Sequence, residues 1–83
     1  MKLEDRIKVN IEKLEFSLSQ IEKIEKSTTK NFSEKEKEVI ERAKSYAFDG
    51  NYYFEKKDYQ TAFACIEYSH GLLDAIRLIY ELI

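Results

Sequence analysis

From Leu3 to Ile24 the large apolar residues recur at Leu3, Ile7, Ile11, Leu14, Leu18, Ile21 and Ile24, in steps of four and three. That spacing lines up one narrow face of a helix of about seven turns. The positions between them are charged in both signs, with Glu4/Lys8 and Glu22/Lys26 four apart, the pattern of a solvated face carrying weak ion pairs. The segment "KSTTKNF", residues 26–32, breaks the periodicity and ends the helix. A second start follows at "SEKE", where Ser33 caps the new helix and Glu36, three residues on, completes a capping box. This second helix runs to about Glu55, and after "KKD" a third begins with Asp58 as its N-cap. The expected elements are helices over about 2–27, 34–55 and 59–82, with nothing that reads as a strand.

The connection between the second and third helices is too short to carry the chain anywhere but back alongside itself, so the two form an antiparallel hairpin. With the turn near residue 57, positions whose numbers add to about 114 lie opposite one another. That register sets Gly50 against Ala64 and Ala43 against Gly71, small residues facing small ones, with Ala43, Ala47 and Gly50 as the ridge on the second helix. A glycine inside a helix costs about 1 kcal/mol against alanine, and close approach of the two backbones is the return expected at Gly71. On the third helix Glu67, His70, Asp74, Arg77 and Glu81 share one stripe, which is expected to face water, while apolar residues fill most of the rest. That apolar sector is wider than two neighbouring helices cover. Leu72, Leu73, Ile76, Ile79, Tyr80 and Ile83 are therefore the candidate interface, with a homodimer as its simplest use.

Composition narrows the picture further. Eighty-three residues make one all-α domain, a three-helix bundle of a long first helix and a hairpin, whose stability margin is thin enough for association to help. There are no prolines and only two glycines, which favours ordered helix over disorder. Residues 1–45 hold eleven Lys/Arg against ten Asp/Glu and residues 46–83 hold three against six, so neither half offers the basic surface that nucleic acid requires. The C-terminal apolar run is broken by Asp74, Arg77 and Glu81 and falls short of the ~20 residues of a membrane span. The lone Cys65 excludes an internal disulfide, and no apolar leader follows the N-terminus; a cytoplasmic protein is expected.

The stretch Ala43 to Ala75 carries Ser45, Tyr46, Asp49, Asp58, Tyr59, Ala62, Phe63, Tyr68, Gly71, Leu73, Asp74 and Ala75 in a pattern that resembles the short archaeal proteins catalogued as domain of unknown function 357. Lys57 stands where that family often has glycine, and Ser69 where alanine is common. The resemblance implies a compact archaeal three-helix bundle and brings no activity with it. A likeness of Gly50, Tyr53, Tyr59, Ala62 and Phe63 to a tetratricopeptide helix pair is local, since a single copy does not make that architecture.

Candidate chemistry concentrates in the hairpin, which holds nine of the eleven aromatic residues. Tyr46, Asp49, Tyr53, Tyr68, His70 and Asp74 are the candidate ligand or interaction residues. The tyrosines serve either as packing or as a platform for a planar ligand. His70 and Asp74, four apart, form either a surface pair or an imidazole held by a carboxylate as a general base requires. Asp49 is either a hydrogen-bond partner for Tyr46 or Tyr53 or part of a shallow acidic site. One histidine and one thiol on different faces do not make a zinc site, glycine-rich phosphate loops are missing, and no cofactor or metal is expected. The resulting expectation is a non-catalytic interaction or assembly module that partners itself or another protein. The competing expectation is a small-ligand-binding or weakly catalytic domain built on the Tyr/Asp/His cluster.

Overall fold

The computed structural model describes residues 2–27 and 32–83. Three helices account for nearly all of them: α1 (Leu3–Glu25), α2 (Glu34–Glu55) and α3 (Tyr59–Ile79). The bundle is all-α, and α3 packs along α2 as a hairpin and along α1 on its other side, while α1 and α2 meet only lightly. Contacts from Glu4 to Tyr59, Asn10 to His70 and Gln20 to Arg77 advance together along α1 and α3, so these two helices run parallel and both run antiparallel to α2. Two ends are shorter than expected, at Glu25 and Ile79. Residues 28–31 of the segment expected to end the first helix lie outside the described residues.

The expected caps form. Ser33 Oγ accepts from the Glu36 N–H (3.1 Å) and Glu36 Oε1 accepts from the Ser33 N–H (2.8 Å), the reciprocal capping box. Asp58 Oδ1 accepts from the Thr61 N–H at the start of α3. Lys57 sits at φ 63°, and its N–H and that of Asp58 turn back to the carbonyls of Phe54 and Tyr53, a Schellman ending of α2. That conformation explains why a glycine suits this position: a Cβ in the left-handed region costs about 1–2 kcal/mol. Lys57→Gly is expected to raise stability by about 0.5–1 kcal/mol, after the entropy that glycine adds to the unfolded chain is subtracted, as a denaturant midpoint will show.

The capping box does more than end a helix. Glu36 Oε1 also accepts from the Tyr80 hydroxyl (2.6 Å), and the Tyr80 ring meets buried Phe32 edge-on at 4.9 Å, tying the start of α2 to the end of α3. The Tyr80 hydroxyl first, then the Ser33 N–H, hold the Glu36 carboxyl below its ordinary range. A carboxyl depressed in the folded state contributes stability that is present above its unfolded pKa of about 4.3 and is lost as pH falls through the folded value. Glu36→Gln is therefore expected to melt lower than the wild type at neutral pH, with the two melting temperatures converging below about pH 4.

The core is continuous through Leu14, Ile21, Phe32, Ile40, Ala43, Ala47, Ile66, Leu73 and Ile76. On α1 the deep positions are Ile7, Leu14 and Ile21, one per two turns, with Ile11, Leu18 and Ile24 packed beside the core, so the expected stripe is the inward one from Ile7 on, while Leu3 at its start is exposed. On α2 the ridge Ala43, Ala47 and Gly50 is buried as expected. What it faces differs. Gly50 lies against Ile66, and Ala43 meets Ser69, whose Oγ donates to the Ala43 carbonyl at 2.7 Å in a fully buried site. Ala64 and Gly71, expected as the facing small residues, are both exposed, and a Cβ at Gly71 would meet nothing within 4 Å. The helix pairing is right to within two positions, but α3 is rotated so that Ala62, Ile66, Ser69, Leu73 and Ile76 point inward.

Candidate functional site

The rotation of α3 sets His70 and Arg77 of its polar stripe against α1, while Glu67, Asp74 and Glu81 of the same stripe stay exposed as expected. His70 Nε2 lies 2.9 Å from the carbonyl oxygen of Asn10, and because a carbonyl only accepts, that nitrogen carries the proton. The Asn10 amide donates to Glu67 Oε1 (2.5 Å). One turn further on, the Arg77 guanidinium donates through Nε to Gln20 Oε1 (2.9 Å) and through Nη1 to Asp74 Oδ1 (3.0 Å). Arg77 is well covered, with 14% of its side chain exposed, so its two bonds hold a side chain that is mostly desolvated. The stripe expected to be solvated thus borders the seam between α1 and α3, with His70 and Arg77 partly covered in it and the three carboxylates still open to water.

Beside that seam runs an open groove of about 560 Å³, with Val9, Lys13 and Phe16 on the α1 bank and His70, Asp74 and Arg77 on the α3 bank. Two of the six candidate residues, His70 and Asp74, therefore share one groove. The other four lie elsewhere. Tyr46 and Tyr68 are both exposed and stack edge to face at 4.5 Å across the α2–α3 hairpin. Tyr53 packs edge-on against Tyr52, and Asp49 is exposed on α2, its charge felt at Cys65. The structure does not bring Asp49 to His70. Within the groove Asp74 is engaged by Arg77 and His70 by Asn10. Burial first, then the charges of Asp49 and Asp58, push the Cys65 thiol up, the opposite of what a nucleophile needs. Among the described residues no group of three or more His, Cys, Asp or Glu is placed to hold a metal ion.

Sequence reasoning missed the α1 side of this seam. The signal was present: Asn10, Lys13, Ser17 and Gln20 recur in steps of three and four beside the apolar stripe, and Ser17 is buried. His70 is thus a linking residue between two helices. His70→Ala is expected to cost about 1 kcal/mol through the lost interhelical hydrogen bond, a larger effect than a solvated histidine gives, and chemical denaturation measures it.

The candidate interface divides as well. Leu73 and Ile76 belong to the core, which corrects the expectation that they face a partner. Leu72 and Tyr80 pack beside the core, and Ile79 and Ile83 remain 60% exposed. Leu78, at 65%, joins them as an exposed residue the apolar sector had not singled out.

These features define a small all-α bundle whose third helix is central and linked to the first by polar side chains. Residues 11–82 match the family described as Protein of unknown function (DUF357), and the chain belongs to that family. The match takes in most of α1 and the whole hairpin. No curated protein matches the chain. None of the described helices is long and apolar enough to cross a membrane.

Proposed function

We propose that this protein is a non-catalytic interaction or assembly module of the cytoplasm, and that it docks a protein partner on the outer face of the α2–α3 hairpin. One observation carries the reading. The charged residues of α3, namely Glu67, Asp74 and Arg77, all lie on its α1 side, the first two exposed there, and the exposed strip next to them carries Ala64, Tyr68, Gly71, Ala75, Leu78 and Ile79 without a charge among them. A helix ordinarily turns its charged side to water and its apolar side inward, so an uncharged outer face marks a surface that is covered in use. The side-chain chemistry supports the non-catalytic part, because His70 and Asp74 in the groove are each held by a different neighbour and burial pushes the Cys65 thiol, which lies outside the groove, up. A tagged chain in extract of its own cells is expected to elute in a complex larger than its 9.9 kDa, and Ala75→Arg is expected to return it to the free position. Elution of the wild type as a free chain contradicts the reading.

The competing small-ligand reading keeps one observation in its favour, the α1–α3 groove, whose volume falls in the range of small-molecule sites. Ligand-induced shifts of the His70 ring resonances, at ligand concentrations that leave Tyr68 unmoved, would carry that reading instead.

A further inference from the structure

We infer that the occupant of the hairpin's outer face is a second copy of this chain, packed hairpin on hairpin and antiparallel about a twofold axis that passes beside Tyr46 and Tyr68. The inference rests on the docking reading above and names its partner. Three features of the face select a second copy.

The first is the centre of the patch. Tyr46 and Tyr68 lie at matched levels on α2 and α3, pack on each other edge to face, and remain 37% and 47% exposed. Beside them Val39, Leu72 and Tyr68 line a shallow depression whose α2 rim is Lys35, Glu38 and Arg42. Partly exposed tyrosines at the middle of an apolar patch are the composition of an interface centre, where a rigid aromatic gains most from losing its remaining water. In a twofold arrangement the two tyrosines of each copy meet at the axis.

The second is charge. Along the α2 border of the face, Lys35, Glu38 and Arg42 stand toward the end of the hairpin where α3 finishes, Lys35 paired with Glu38 at 3.3 Å, and Asp49 stands on the other side of Tyr46, toward the turn. Arg42 has only a distant carboxylate neighbour, Glu38 at 3.9 Å, and Asp49 has no ion-pair partner among the described residues. Tyr46 is close to midway between Arg42 and Asp49 in the sequence, so a twofold axis beside it carries Arg42 of one copy to the level of Asp49 of the other, and the reverse. A parallel arrangement instead sets α2 of each copy against the α1 side of its neighbour, and this match is lost. Unlike charges brought together across the axis on either side of the tyrosines fix orientation and register.

The third is area. The face is two helices wide, roughly 20 Å, and about 30 Å long, a footprint of about 600 Å² in projection, with a corrugated accessible surface larger than that. A stable interface takes about 800 Å² from each partner, roughly one-seventh of the chain's 5735 Å², and the corrugated surface of this face is of that order. Gly71 and Ala75, exposed on the same helix and with open space over Gly71, let a second helix approach closely, so the glycine that no intramolecular contact uses has a place in the assembly.

The test uses the full-length chain at micromolar concentration and above. Light scattering is expected to give twice 9.9 kDa for the wild type and 9.9 kDa for Ala75→Arg, whose helical circular dichroism stays intact because position 75 is exposed. In a Cys65→Ala background, a nitroxide at Lys56→Cys near the turn is expected to report a distance of roughly 30 Å between the two labels of an antiparallel dimer, from the rise of 1.5 Å per residue on either side of the axis. A wild type of monomer mass overturns the inference, and so does a label distance well under 20 Å, which reports a parallel pair. If the purified chain is a monomer while the chain in extract still elutes as a complex that Ala75→Arg dissolves, the second-copy inference fails and the docking reading stands. A purified dimer that Ala75→Arg leaves intact contradicts both.

Discussion

Gly50→Leu is expected to destabilise the fold by about 3 kcal/mol, the upper part of the range for overpacking a core. For a domain of this size that is a fall of roughly 12–24 °C in melting temperature. The reason is local. A Cβ built at Gly50 falls onto the side chain of Ile66, 2.7 Å from Cγ1 and in collision with Cδ1, and 3.4 Å from the Ile66 backbone nitrogen. Ile66 is fully buried, so its side chain has no free space to retreat into, and a leucine adds three more carbons along the same line. The two helices have to separate along the ridge where Ser69 is bonded to Ala43. The matched control is Gly71→Leu in dilute solution, where only intramolecular contacts count. There the replacement meets open space and gains about 0.8–1 kcal/mol of helix propensity. The two glycines of this chain are thus expected to respond with opposite signs, and thermal melts of both variants decide it.

Leu73→Ala carries the second large expected effect, a loss of about 3 kcal/mol from removing a fully buried side chain in the middle of the continuous core. Alanine leaves a cavity that the surrounding residues of the core fill only in part. Leu78→Ala, five residues further on at a position 65% exposed, is expected to stay within ±0.5 kcal/mol in dilute solution. The contrast separates two leucines that the sequence alone leaves on the same broad apolar sector. A small effect at Leu73 together with a large one at Leu78 would mean that α3 is turned the other way.

That rotation is where the sequence stops being informative. The α1 stripe, the Ser33–Glu36 box and the Asp58 cap are legible because each is decided within a few residues by spacing and by side-chain-to-backbone hydrogen bonds. The hairpin register is legible too, since a short turn fixes which levels face each other. Rotation about the α3 axis is different. With apolar residues around most of the helix, periodicity does not choose an inward face, and the charged stripe then reads as the side for water. The structure spends that stripe on Asn10 and Gln20 of α1, whose own spacing beside the apolar face was the available clue. Ser69 shows the same limit from the other direction. A hydroxyl among apolar neighbours reads as a departure from alanine, and only the close passage of the Ala43 carbonyl explains it. Of the candidate site, the placing of His70 and Asp74 along one groove was legible from their four-residue spacing, although they bond to Asn10 and Arg77 and not to each other, whereas the separation of Asp49 and the tyrosines from them depends on the rotation.

The placement of α3 also connects the fold to the proposed role. Its charged side borders α1 and bonds to it, so its other exposed strip is left without charge, and the proposed assembly and the bundle follow from one orientation. The most direct test of that orientation is the set of nuclear Overhauser effects from the His70 ring protons, which any dimer on the opposite face leaves unchanged. Cross-peaks to Asn10 and Lys13 of α1 are the expected result. Ring protons that show contacts only within α3 and exchange with water would contradict it.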